Sequence, residues 1–384
     1  MVGFSQAKVV ALAEAAQAGG IVDLVSADGT GGALWHAALA GGEGLIALHE
    51  DPLHGLSVGA LLRLASMSQA RVAQPALMPL TGPEGHGLIL MGQAGAGPAR
   101  IGIDPAGAAY HAQQLGLPEG LGVPRIGVDL GISNLAGQRL LAFGTAEGRV
   151  GILAIDPNGR LTLCADVPVA ADARASGLLG SPAALGVLRS DGAAHLVVTV
   201  PGADRILAYR IAPDGSAMLT DRTGAPEGLS VAAPAALATV SNAAGDFAIV
   251  AARASSTLAV LSLDAQGAFV VHDQIMDSPQ MRIGAVSQVH SLTVGEVTVV
   301  LAGGGDSGLS LFALGPLGRL HHLATTEAAP GAEFGTLSAL DAVADGTLLR
   351  IVAAGQGQGA VTVLSADLSG LGVVAAGSAA LQPT

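Results

Sequence analysis

The chain has 384 residues; half are hydrophobic, 12% are charged, 2% are aromatic and 56 are glycine. So much apolar surface excludes a disordered chain, and a lone Cys164 excludes a disulfide scaffold. Seventeen basic residues stand against thirty acidic ones, a formal net charge of −13, which argues against nucleic acid and against an acidic membrane surface as partners.

In chain order, the first predicted elements are two strands, Lys8–Ala15 and Ile21–Ser26. Two readings are open for this quarter. In one, Lys8–Ala13, Ile21–Val25, Ala33–Ala38 and Gly44–His49 form the first four-stranded unit and Asp51–Gln74 is inserted. In the preferred one, the two opening strands are an extra pair and a unit begins at Ala33. Helical periodicity is visible only over Leu56–Met67. Even there, GLSVGALLRLASMSQARVAQ at 55–74 matches GLSLFALGPLGRLHHLA at 308–324 better than a helix.

The rest of the chain repeats. Arg139–Asp166, His195–Asp221, Phe247–Asp273, Val297–Ala324 and Leu348–Ala376 each read as strand, polar turn, alternating strand, Gly turn, strand. A further strand precedes each segment, such as Ala235–Val240 or Leu337–Val343. Turn glycines Gly107, Gly159, Gly215, Gly267, Gly318 and Gly370 fall 52, 56, 52, 51 and 52 residues apart. A second series, Gly137, Gly192, Gly245, Gly295 and Gly346, runs in step. Four short strands per repeat of about 52 residues predict an all-β, seven-bladed β-propeller of four-stranded antiparallel blades. The expected organisation is an N-terminal strand pair over 1–32, the propeller over 33–376 and a tail over 377–384.

The segments GGGDSGLSLFALGPLGRL and VPGADRILAYRIAPDGSAML resemble blades of lactonase-type seven-bladed propellers. They are also similar to propeller segments of secreted bacterial hemolysin-type calcium-binding proteins. The resemblance implies the fold from about 33 to 376. It carries over no catalytic residue, because the Arg, His and Glu of the lactonase funnel have no one-to-one match here. The Gly-Gly-x-Gly-x-Asp beat of the calcium repeat is also missing.

Candidate site residues fall in two places. Turns between second and third strands hold Glu147, Asp204, Arg253, Ser255, Asp306, Gln356 and Gln358, a polar ring suited to a ligand or simply to solvent. His290 and Asp341, with Asp129, fall on innermost strands and point to the channel. His111, His272, His321 and His322 fall on outer strands, where polar groups discourage pairing with other chains. No metal-ligand spacing occurs, so no metal and no cofactor are expected. Gly55–Gly59 fits Gly-x-Ser-x-Gly, but on a strand rather than a nucleophile elbow. Gly355–Gly359 reads as a tight turn.

The favoured reading is a non-catalytic binding module for a protein partner or glycan. It would belong to a secreted, cell-surface or virion-associated bacterial protein, with the cytoplasm as the other location. No membrane insertion is expected, and the N-terminal strand pair offers an edge for a homo-oligomer. The alternative is a lactonase-like hydrolase or isomerase with its site in the channel. That alternative demands at least two converging ionisable groups with a perturbed pKa among them.

Overall fold

The computed structural model describes residues 2–12, 20–29, 32–39, 44–51, 55–62, 76–82, 85–92, 97–103, 109–169, 181–327 and 335–371. The predicted tail at 377–384 and Gly107 lie outside them.

Strand β1 (Phe4–Ala11) comes first. Blade one is β2 (Ile21–Gly29), β3 (Gly32–Leu39), β4 (Leu45–Asp51) and β5 (Gly55–Leu62). Blade two is β6 (Ala76–Gly82), β7 (Gly85–Met91), β8 (Ala99–Ile103) and β9 (Ala109–Gln114). Blade three is β10 (Pro124–Ser133), β11 (Arg139–Thr145), β12 (Arg149–Ile155) and β13 (Leu161–Pro168). Blade four is β14 (Ala184–Ser190), β15 (Ala193–Val200), β16 (Arg205–Ile211) and β17 (Ala217–Gly224). Blade five is β18 (Pro234–Asn242), β19 (Gly245–Ala252), β20 (Thr257–Leu263) and β21 (Phe269–Met276). Blade six is β22 (Gln288–Val294), β23 (Val297–Gly303), β24 (Gly308–Leu314) and β25 (Leu320–Glu327). Blade seven is β26 (Leu337–Asp345), β27 (Leu348–Gly355), β28 (Ala360–Asp367) and, at its outer edge, β1. The first strand of each blade packs beside those of its two neighbours, which closes the ring around a central channel.

The all-β, seven-bladed architecture matches the sequence pattern, and the N-terminal strands do not form a pair. β1 runs antiparallel to β28, with Val10 opposite Val361, and so supplies the fourth strand of blade seven. β2 pairs with β3 and is the innermost strand of blade one. Both sequence readings therefore misplaced the first blade by one strand. The cause is physical: an apolar run such as Ile21–Val25 looks the same on an inner or an outer strand. Residues 55–62 form the outer strand β5 rather than a helix or a third strand.

Strands inside a blade are buried on both faces, so alternate side chains feed different interfaces. On β11, Leu140 and Ala142 pack toward blade four while Leu141 and Phe143 pack toward blade two. The result is a separate core cluster between each adjacent pair of blades, such as the one uniting Trp35, Leu24 and Ile21 with Val352 and Ala339. Turn glycines set the chain reversals. Gly159, Gly215, Gly267 and Gly318 have φ between 74° and 83°, where a side chain would be strained, and Gly137, Gly192, Gly245, Gly295 and Gly346 are also left-handed. In blades one to six, the outer strand carries a register shift against its neighbour, as between Val260 and Leu261. Such bulges blunt an exposed edge.

Candidate functional site

The turns between second and third strands lie on one face together with the links between blades. There the polar ring holds the links. Asp204 Oδ1 accepts the Ala233 N–H at 2.7 Å, and Ser255 Oγ accepts the neighbouring Ala232 N–H at 3.1 Å. One blade on, Ser256 Oγ accepts from Ala285 N–H at 2.9 Å and Asp306 Oδ2 accepts from Gly284 N–H at 3.0 Å. Each link is thus pinned from both sides. Burial raises the Asp306 carboxyl above its ordinary range, and Asp277 adds to this. Arg253 is exposed, and its main-chain N–H donates to Ala233 O at 3.0 Å. Gln356 donates its main-chain N–H to Thr336 O at 2.8 Å, and Gln358 N–H closes the turn onto Gly355 O at 3.2 Å. Glu147 is exposed in its turn and reaches toward Gly122. These residues lie on the turns of blades three to seven, and several serve the backbone of the links.

The inner strands do bring groups together. His290 on β22 and Asp341 on β26 are partners, with Nδ1 3.1 Å from Oδ1. The Asp341 side chain is 6% exposed and that of His290 25%, so a sealed carboxylate backs a half-open imidazole. Burial raises the Asp341 carboxyl, against the pull of His290 and of Ser26 on β2. Its Oδ2 is buried without a hydrogen bond of ordinary geometry. Asp23, also on β2, accepts the Leu24 N–H at 2.9 Å and the Leu77 N–H of β6 at 2.6 Å. Desolvation pushes its carboxyl up to about 7, with a smaller contribution from Asp341.

Asp129, the third channel candidate, is neutralised. It forms an ion pair with Arg139 and accepts the Gly131 N–H at 2.8 Å. The inner strands around His290 and Asp341 are stitched to one another. Ser291 Oγ donates to Thr239 O, Gln288 Nε2 to Ser338 O and Ser338 Oγ to Ile21 O. Among the described residues no group of three or more His, Cys, Asp or Glu is placed to hold a metal ion. Gly55–Gly59 lies on outer strand β5, where Ser57 Oγ donates to His49 O at 3.3 Å.

Asp23 and Ser26 are the site residues that sequence reasoning missed, because neither reading of the first quarter puts Ile21–Ser26 on an innermost strand. A usable signal was present. Ties between inner strands join residues 50 to 54 positions apart, about one repeat. His290 and Asp341 stand one repeat apart as well, which is what sets them side by side.

The sequence matches no protein-family model and no curated protein. Solved structures share the fold. The Pseudomonas aeruginosa periplasmic gluconolactonase PpgL is 20% identical, with a TM-score of 0.56, covering 90% of this chain and 95% of its own. A protein from Lactobacillus plantarum is 17% identical with a TM-score of 0.53, over 81% and 88%. BBS1N, solved in complex with ARL6DN, is 11% identical with a TM-score of 0.58, over 96% of both chains. At these identities the likeness is one of fold.

Proposed function

We propose that this chain is a lactonase-like hydrolase or isomerase whose acid–base site lies in the central channel. The observation that carries this reading is the His290–Asp341 pair, an imidazole oriented by a sealed carboxyl on the neighbouring inner strand. It meets the demand for converging ionisable groups, and Asp341 and Asp23 supply the perturbed pKa values. With Nδ1 turned to Asp341, Nε2 is the nitrogen left for a substrate. It takes a proton from a water that attacks the lactone carbonyl. The ring C–O bond then breaks, the leaving alkoxide recovers that proton, and the product is a hydroxy acid. The fold shared with a gluconolactonase supports the reading without naming a substrate.

A panel of γ- and δ-lactones followed by acid release tests this. Turnover is expected, and H290Q should lower kcat/KM by about 100-fold or more, the range for loss of a general base. No turnover across the panel, or an H290Q variant as active as the parent, sinks the reading.

One observation favours the non-catalytic binding module as a second reading. Met218 and Leu219 on β17, with Val270, Val271 and Met276 on β21, are exposed on the outer strands of adjacent blades. An extended protein segment pairing with such an edge would cover them. A secreted or surface setting goes with that reading, and a silent lactone panel would put it ahead.

A further inference from the structure

Trp35 on β3 is the only tryptophan of the chain and is fully buried. Its indole Nε1 has no hydrogen-bond partner of ordinary geometry among the described residues. Asp341, 4% exposed, leaves its Oδ2 in the same position. One atom can only donate and the other accepts. Leaving either unmet in a sealed interior is costly, so each calls for a partner.

The register brings the two residues to one interface. Ser26 lies opposite Trp35, so their side chains share a face of blade one. Leu24, two residues before Ser26, joins Trp35 in the core cluster shared with blade seven, which shows where that face looks. From blade seven, Ala339 and Val343 pack into the same cluster, and they stand two residues to either side of Asp341. Val352, directly opposite Asp341, packs there too. Strand alternation then turns Asp341 toward blade one, on the side where Trp35 is packed. Oδ1 is taken by His290 Nδ1 at 3.1 Å, and Ser26 stands beside the carboxyl.

We infer that one enclosed water joins the Trp35 indole N–H to Asp341 Oδ2, and that Trp35 is thereby a positioning residue for the His290–Asp341 pair. The water accepts from Nε1, donates one hydrogen to Oδ2 and has the other for the Ser26 hydroxyl, which meets the needs of a buried water. An Oδ2 that accepts carries no proton. The proton of the pair then stays on His290 Nδ1, and Nε2 keeps the lone pair that takes a proton from the attacking water. The part played in turnover rests on the reading under Proposed function; the enclosed water does not.

The test is nitrogen-15 NMR of the full-length protein without substrate. A single tryptophan gives a single indole N–H resonance, and its hydrogen should show a through-space cross-peak to a long-lived water. The His290 ring, assigned by its loss in H290Q, should show the tautomer with hydrogen on Nδ1. Trp35 is then replaced by benzothienylalanine, which carries sulfur where indole carries N–H and keeps the shape of the ring. That protein should lose the fixed Nδ1–H tautomer of His290. On a lactone that the parent turns over, its kcat should fall about 10-fold or more with KM unchanged, the scale of one hydrogen bond to a charged group. A Trp35 that only fills space would leave tautomer and kcat as they were, and that result overturns the inference. A parent indole hydrogen with no water cross-peak overturns it too, even if the analogue protein does not fold. The water cross-peak and the tautomer change together with a silent lactone panel would sink the catalytic reading alone; turnover without the cross-peak would sink this inference alone.

Discussion

Two desolvated side chains of blade one respond to pH in opposite senses. Asp23 is raised from 3.8 to about 7, so its proton is held in the fold where the unfolded chain has lost it. That stability is present below pH 4 and is lost as pH rises through 7, about 4 kcal/mol in all. His36 is fully buried, neither ring nitrogen has a hydrogen-bond partner, and desolvation lowers it from 6.5 to about 4. Its contribution is present above pH 6.5 and is lost as pH falls through 4, about 3 kcal/mol. The two slopes nearly cancel between pH 4 and 7. Urea unfolding across that range should therefore show D23N gaining stability as pH rises and H36L losing it. Parallel slopes in the two variants would contradict this account. At this scale the sequence was legible where a polar residue stood one repeat from its partner, as for His290 and Asp341. It was not legible where a side chain serves a distant backbone. Nothing local in Asp204 or Asp306 reveals the link N–H groups they accept.

Among the elements, the outer strand of blade seven and the turn ending blade four each offer a backbone test. In β1, Val10 lies opposite Val361, within an uninterrupted pairing from Lys8 to Ala11. V10P constrains the backbone there and removes an N–H from that pairing. It should lower the melting temperature and speed amide exchange along β28; unchanged exchange would mean that β1 does not hold the ring. Gly224 has φ 154°, and a Cβ there would run into Asp204 O and the Arg205 backbone. G224A should cost about 2 kcal/mol or more in chemical unfolding, and a neutral outcome would contradict the packing of that turn. The repeat made the strands readable from blade three onward, because glycine turns recur there at fixed spacing. In the first quarter the glycines are irregular. Hydrophobic alternation then could not tell β2, an inner strand with a desolvated carboxyl, from an outer strand.

Across the whole molecule, each core cluster belongs to two blades, so no blade owns its interior. Unfolding should then be a single event. Fluorescence of Trp35, fully buried between blades one and seven, and far-ultraviolet circular dichroism should give coincident melting curves. Separate transitions would show blades melting independently. A ring also ties the order of assembly to the order of synthesis. β1 is made about 350 residues before its partner β28, a delay of tens of seconds at roughly 5–20 residues per second. Through that interval the nascent β1 has an unsatisfied edge and the growing arc has no seal. The vulnerable time for this protein is therefore during its making: a chaperone that shields the unpaired edge of β1 would matter more to its yield than to its stability once closed.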